Sequence, residues 1–346
     1  MERLRILVTF ALEPELIREI EAVDRRVTVR VLGETERRAL RGLYPSEAEA
    51  AAVRSGLKGA FRDADVILGF WGAQLHEAFT GMGHIRDVAP DLKWIQLTSA
   101  GSDRLLASGF VGREVVVTTA SGLHATPIGE YVLAVMLMFA KGAPRFFRAQ
   151  VERRWERFMP TELYGKTVGV VGMGNIGREV ARLSKAFGCR VLGIRRSARA
   201  RGSDEHADEL LPPSGLPYLL AESDYVVLAT PLTPETRGLI AEPQLRMMKP
   251  TAVLVNIARG PVAVEADLVR ALKDGWIAGA ALDVFEREPL PPESELWDLE
   301  NVILTPHISG GTEVYNRRAV AIFTDNIRRF LAGEPLRNVV DPARGY

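Results

Sequence analysis

The chain has 346 residues, 47% of them hydrophobic and 25% charged, which is enough for two domains with cores of their own. Its 44 Lys and Arg balance its 44 Asp and Glu, so no net field draws it to nucleic acid or to an anionic membrane. A single cysteine excludes a disulfide framework and suits a reducing compartment, and the longest apolar run, Tyr131 to Ala140, falls short of the roughly 20 residues that span a bilayer.

The opening stretch, Arg5 to Phe10, reads directly as a β-strand, with too short an apolar core and no small-residue site for a cleaved leader. The expected location is therefore cytoplasmic. Short β-rich runs follow at Val27 to Leu32, Val66 to Phe70, Trp94 to Leu97 and Val115 to Thr119. They alternate with polar helical stretches such as Glu15 to Val23 and Ser46 to Ser55, a rhythm that predicts a small α/β domain on a parallel sheet. His124 lies at the expected hinge and reads as structural. The run from Ile128 to Phe139 is hydrophobic nearly all round, which implies burial. A homodimer contact through residues 120–150 and an intrachain core helix both stay open.

An apolar strand, Val168 to Val171, then runs into Gly172, Gly174 and Gly177 and on into a helix over Arg178 to Phe187. Each glycine has its own task in holding a dinucleotide. Gly172 permits the tight turn, Gly174 lets backbone approach a pyrophosphate, and Gly177 brings the helix close to the strand. The helix start, with Asn175 and Ile176, points its N–H groups and dipole at the anion. Cys189 reads as a buried structural thiol. The next strand, Arg190 to Ile194, ends in Arg195, Arg196 and Ser197, where an NAD-preferring chain places an acid for the ribose hydroxyls. A guanidinium there instead grips a 2′-phosphate, so NADP(H) is favoured and NAD(H) stays possible. The bland alternative is a solvated arginine-rich loop.

Tyr225 to Ala229, Ala252 to Asn256, Ala278 to Val284 and Val302 to Leu304 continue the rhythm as a second doubly wound sheet. Because the glycine turn comes mid-chain, the earlier half forms a separate domain, and a final helix over Asn316 to Leu331 is placed to cross back to it. The expected organisation is a Rossmann domain, residues 120–309, inserted in a smaller flavodoxin-like α/β substrate domain made of residues 1–119 and 310–346. Arg259, Glu288 and His307 follow late strands, at the carboxyl edge where such sheets bind ligands. Alone, each has an ordinary structural explanation. Together they suit reduction of a 2-keto acid. A histidine donates a proton near neutral pH, a carboxylate neighbour fixes its ring and favours its charged form, and an arginine grips a carboxylate while polarising the adjacent carbonyl. His76, His84 and His206 lack partner spacing, and no cluster suggests a metal.

The glycine turn, the segment Ala229 to Thr236, Asn256 to Gly260, Asp283 to Pro289 and Thr305-Pro306-His307, in this order, resemble the D-isomer-specific 2-hydroxyacid dehydrogenase family nearly end to end. The resemblance implies that Arg259 binds substrate, that Glu288 orients His307, and that His307 is the acid–base residue. It also implies that Asp283 and the backbone at Ile257 and Ala258 meet the nicotinamide, with Thr230, Pro231 and Thr236 along the cofactor's ribose side. In such enzymes the substrate carboxylate meets backbone N–H groups of a glycine-containing loop, a role that Ala100, Gly101 and Ser102 fit. Gly101 is otherwise a plain turn, and Trp71 either lines the pocket or packs. The implied activity is NADPH-dependent reduction of glyoxylate, hydroxypyruvate or a similar small keto acid to the D-2-hydroxy acid. A corepressor-like nucleotide sensor and a short phosphoglycerate dehydrogenase are the alternatives. A formate dehydrogenase-like reading is disfavoured, since glutamine would stand where Glu288 does.

Overall fold

Runs of four or five Val, Ile and Leu residues are too short for helices and apolar on both faces, so they form parallel strands covered on both sides. The structure, a computed structural model, describes residues 3–40, 56–69, 84–102, 105–106, 108–112 and 114–341. The helix expected over Ser46 to Ser55 and the candidate Trp71 lie outside the described residues. The chain forms two compact units, Met1–Leu123 with Glu313–Tyr346, and His124–Thr312.

In the first unit β1 (Leu4–Val8), β2 (Val27–Val31), β3 (Val66–Gly69), β4 (Trp94–Leu97) and β5 (Val116–Thr118) form a parallel sheet in the order β2-β1-β3-β4-β5. That is the flavodoxin-like order. Helix α1 (Pro14–Glu21) and the C-terminal helix Tyr315–Ala332 share one face, burying Leu16, Ile20, Val320, Phe323 and Ile327 against Ile6, Val8 and Trp94. Trp94 meets Phe323 at a tilt, with centroids 5.1 Å apart. Its indole Nε1 donates to Thr118 Oγ1 at 2.7 Å, whose hydroxyl donates to Gln96 Oε1 at 2.8 Å. Asn326 Nδ2 of the C-terminal helix reaches the same Gln96 oxygen at 3.1 Å. This satisfied buried network ties the last helix to the first sheet.

The second unit begins with α3 (Ala125–Lys141) and α4 (Ala143–Val151); α2 (Glu34–Leu40) belongs to the first. Then come β6 (Thr167–Val171), α5 (Asn175–Ala186), β7 (Arg190–Ile194), β8 (Gly202–Asp204), β9 (Ala207–Leu211), β10 (Tyr225–Leu228), β11 (Val253–Asn256), β12 (Gly279–Leu282) and β13 (Val302–Leu304). Their order is β13-β12-β11-β10-β6-β7-β9-β8, parallel throughout except that β8 runs antiparallel to β9. Helix α3 packs inside this unit, through Ile128, Val132, Val135 and Met136. At Gly129 it closes on α5, where a Cβ would stand 2.8 Å from Glu179 Cγ. Cys189 is buried, its thiol 3.3 Å from the Leu163 carbonyl.

Candidate active site

Because β6, β7, β10, β11, β12 and β13 are mutually parallel, their C-terminal ends share one edge. The glycine turn, Arg195, Thr230, Arg259, Glu288 and His307 all follow strands that end there. The chain order reverses between β6 and β10, and that is the crevice in which open α/β sheets bind ligands.

Two of the three glycines are demanded by the fold. Gly172 has φ +111, and a Cβ on it would lie 2.6 Å from the Ala229 carbonyl oxygen and 2.8 Å from Thr230 N. A Cβ on Gly177 would lie 2.0 Å from the Gly172 carbonyl oxygen. Gly174 differs. Its φ of −86 suits any residue, and a Cβ there would meet nothing within 4 Å. Neither backbone nor packing calls for glycine at 174, so the space over the start of α5 fits an anion lying close to backbone. No side chain caps α5 at Gly174, and Asn175 and Ile176 open its first turn. The residues present therefore fit a dinucleotide. Thr230 and Pro231 lie beside the turn. Thr236 Oγ1 accepts from Thr233 N at 2.7 Å and donates to the Pro231 carbonyl at 2.7 Å, so its hydroxyl stitches that loop together.

Beyond β7, Arg195 is half-buried, while Arg196 and Ser197 are exposed. Asp204 on β8, its side chain 5% exposed, accepts from Arg178 Nη2 at 2.6 Å and lies 3.9 Å from Arg195 Nη1. These two guanidiniums, with the His206 N–H, hold the Asp204 carboxyl below its usual range against the opposing effect of burial.

At the other end of the edge, His307 Nδ1 lies 3.0 Å from Glu288 Oε2, and Glu288 Oε1 accepts from Phe285 N at 3.3 Å. The backbone at Phe285 and Glu286, just before Glu288, packs closely on the turn that follows Arg259. A Cβ on Gly260 would fall 1.9 Å from the Phe285 carbonyl carbon, so only glycine allows the 259–262 turn to lie this close. Arg259 Nη1 donates to the Ala258 carbonyl at 2.8 Å, and Asn256 braces the turn from both sides, accepting from Ala258 N at 3.1 Å and donating to the Arg259 carbonyl at 3.2 Å. Ile257 and Ala258 are buried.

His307 has φ +55, a left-handed conformation that costs an L-residue about 1–2 kcal/mol and that histidine adopts more readily than most. Asp283 holds it there. Fully buried, Asp283 accepts at Oδ1 from Thr305 Oγ1 at 2.6 Å and Ile308 N at 2.8 Å, and at Oδ2 from Ser309 N at 3.0 Å. The carboxylate thus grips the chain on both sides of His307 and sets the turn that turns its ring to Glu288. The resemblance assigned Asp283 to the nicotinamide; these bonds give it a second, local task that no short-range pattern signals.

His124, which reads from the sequence as a structural residue at the hinge, also lies in this group. Its ring packs on Gly310, where a Cβ would stand 2.8 Å from His124 Cδ2. Burial, and after it the charges of Arg259 and His307, push its pKa down to about 4. It therefore sits as a neutral imidazole beside both. Only its contacts could have revealed this, since Arg259 and His307 lie far along the chain. Ala100, Gly101 and Ser102 follow β4 in the first unit, where Ser99 Oγ donates to the Gly101 carbonyl at 2.8 Å and Ser102 is buried.

A dinucleotide-type turn and a histidine–carboxylate pair on one sheet edge define an NAD(P)-dependent oxidoreductase. The sequence model of the D-isomer specific 2-hydroxyacid dehydrogenase NAD binding domain matches residues 133–309. A glyoxylate reductase of Thermococcus gammatolerans is 38% identical over 301 residues, 84% of this chain and 86% of that one. A D-isomer specific 2-hydroxyacid dehydrogenase from Xanthobacter autotrophicus, solved with NADPH and MES, superposes with a TM-score of 0.78 at 31% identity, covering 100% of both chains. The NADPH-dependent glyoxylate/hydroxypyruvate reductase of Sinorhizobium meliloti, solved with NADP and sulfate, gives 0.77 at 28% identity, covering 99% of this chain and 100% of that one. The chain belongs to the D-isomer-specific 2-hydroxyacid dehydrogenase family, whose substrates are small 2-hydroxy and 2-keto acids.

Proposed function

We propose that the protein reduces a small 2-keto acid, of the glyoxylate or hydroxypyruvate kind, to the D-2-hydroxy acid with NADPH. The observation that carries this is the 3.0 Å contact of His307 Nδ1 with Glu288 on the edge that also bears the glycine turn. Gly172, Gly174 and Gly177 with the start of α5 would hold the pyrophosphate, Thr230 and Pro231 the ribose side, and Arg195, Arg196 and Ser197 the 2′-phosphate. When bound, the nicotinamide supplies the hydride that reaches C2. Arg259 pairs with the substrate carboxylate. Glu288 keeps a proton on Nδ1, so Nε2 faces the substrate and donates its proton to the carbonyl oxygen. In the reverse direction neutral Nε2 takes the hydroxyl proton. The names of the Thermococcus and Sinorhizobium relatives support the substrate class and, for the latter, the cofactor.

The test is to mix purified protein with NADPH and glyoxylate, hydroxypyruvate, pyruvate or 3-phosphohydroxypyruvate and follow cofactor absorbance. Consumption with glyoxylate or hydroxypyruvate is expected. Tight NADPH binding without turnover on any of them would overturn the enzyme reading in favour of a nucleotide sensor, and turnover of the phosphorylated acid alone would move the substrate to phosphoglycerate.

We propose further that a second copy of the chain packs on the segment around α4. Phe147 is 51% exposed, Val151 83%, Trp155 91%, Met159 91% and Tyr164 77%. Apolar surface concentrated in this way marks an interface. Sedimentation equilibrium should read a dimer for the wild type and a monomer for Trp155→Glu; a monomeric wild type would remove the proposal.

A further inference from the structure

We infer that Tyr131, on α3 and outside the chemistry, is a positioning residue for His307, acting through the Thr305 hydroxyl on the buried carboxylate of Asp283. The inference rests on the reading of His307 as proton donor.

The direction of the chain of bonds follows from proton counting. Thr305 has one hydroxyl proton, and its Oγ1 lies 2.6 Å from Asp283 Oδ1 and 2.8 Å from Tyr131 Oη. An ionised carboxylate only accepts, so Thr305 donates to Asp283 and must accept from Tyr131. Tyr131 is able to serve, because burial, aided by the charge of Asp283, pushes its phenol up to about 12 and keeps the proton in place. The relay is therefore Tyr131 O–H to Thr305 O–H to Asp283.

Its consequence falls on residues 305–309. Asp283 sets the left-handed turn at His307 by accepting from Thr305, Ile308 and Ser309. Thr305 is the anchor on the N-terminal side of that turn, and His307 N itself donates back to the Thr305 carbonyl at 3.0 Å. Tyr131 locks the rotamer of this anchor. A second contact comes from the start of the same helix: its N-cap His124, seven residues earlier and about 10 Å away, packs on Gly310 at the far end of the loop. Helix α3 thus braces the loop on both sides of His307, and α3 is itself fixed in the core through Val132, Val135 and Met136. A displacement of about 1 Å at a proton donor costs up to about a hundredfold in rate, so a brace of this kind is worth its burial of two hydroxyls.

Three variants test it: Tyr131→Phe, Thr305→Val and Thr305→Ser. Tyr131→Phe and Thr305→Val should each lower kcat about tenfold, with the keto-acid KM and the NADPH dissociation constant within about twofold of wild type. In the protein without cofactor, the Ile308 and Ser309 amides should lose about tenfold in hydrogen-exchange protection while the amides of β10 and β11 keep theirs. Thr305→Ser, which retains the hydroxyl, should restore both readouts. Wild-type kcat and wild-type protection in Tyr131→Phe would overturn the inference, and so would a loss of protection spread evenly over the sheet. If no keto acid is turned over by the wild type, the proposed reaction fails, and the exchange measurement still decides whether the brace exists.

Discussion

Replacing His307 with Asn should lower kcat for keto-acid reduction by about 10²–10⁴-fold, the usual contribution of a positioned acid–base group, with NADPH affinity within about twofold of wild type. Asn is the informative replacement because it tolerates the left-handed backbone at φ +55. A loss of rate then reports the missing proton donor and not a collapsed loop. The pH dependence has a defined sign. Reduction uses the protonated imidazole, so its rate falls as pH rises; oxidation of the hydroxy acid uses the neutral ring, so its rate falls as pH drops. The nearby His124, pushed down to about 4 by burial and by the charges of Arg259 and His307, is neutral through the range where unperturbed histidines titrate and cannot carry this ionisation. The variant should therefore lose the ionisation along with the rate. Residual kcat above about a tenth of wild type, or an unchanged pH profile, would remove His307 from the reaction.

The parts of the fold that could be read along the chain are those set by local rules. The glycine turn is one, since a positive φ at Gly172 and the contact of Gly177 with Gly172 are consequences of residues within six positions. The central strands are another, because β3, β4, β6, β10, β11 and β12 are short, mostly apolar runs buried at every position. The hairpin of β8 and β9 was not foreseen. Gly202 to Leu211 is largely acidic and polar with no clear alternation; β9 pairs with the edge of β7 and buries Ala207 and Leu211, and Arg190, Arg195 and Arg178 lie against Glu209 and Asp204. In the candidate site, residue types after strand ends were legible and their linkages were not. Nothing near Asp283 in the chain announces that it bonds Thr305, Ile308 and Ser309, and nothing near His124 announces Gly310, Arg259 and His307. Those contacts exist only once β12 and β13 lie side by side and α3 has packed across them. For the same reason Ile128 to Phe139 left open whether its burial lay within the chain. Packing of α3 against α5 and the sheet accounts for its apolar face, and the exposed apolar residues lie further on, from Phe146 to Tyr164.

Replacing Arg195 with Ala should weaken NADPH binding by about 10- to 100-fold, the equivalent of losing one or two charge-assisted bonds to a phosphate, and change NADH binding less than about threefold. The two cofactors differ only in the 2′-phosphate, so a residue acting through the ribose diol or the fold would shift both. Arg195 follows β7 and His307 follows β13, with β6, β10, β11 and β12 between them. Five strand spacings of about 4.8 Å put them on the order of 20 Å apart, so kcat at saturating cofactor should survive a change that alters cofactor choice. Asp204 makes this more than a count of positive charges. Its carboxylate, anchored by Arg178 at 2.6 Å, lies 3.9 Å from Arg195 Nη1, and the Arg195 side chain is 35% exposed. An arginine so placed is partly oriented before any phosphate arrives, and its attraction for a dianion is moderated by the acid behind it. Arg196 is exposed to solvent, where a charge contributes less, and its replacement should have the smaller effect. Binding measured by cofactor fluorescence for both variants with NADPH and NADH separates these cases. Equal losses for the two cofactors in Arg195→Ala, or wild-type NADPH affinity, would refute the assignment of the 2′-phosphate to the end of β7.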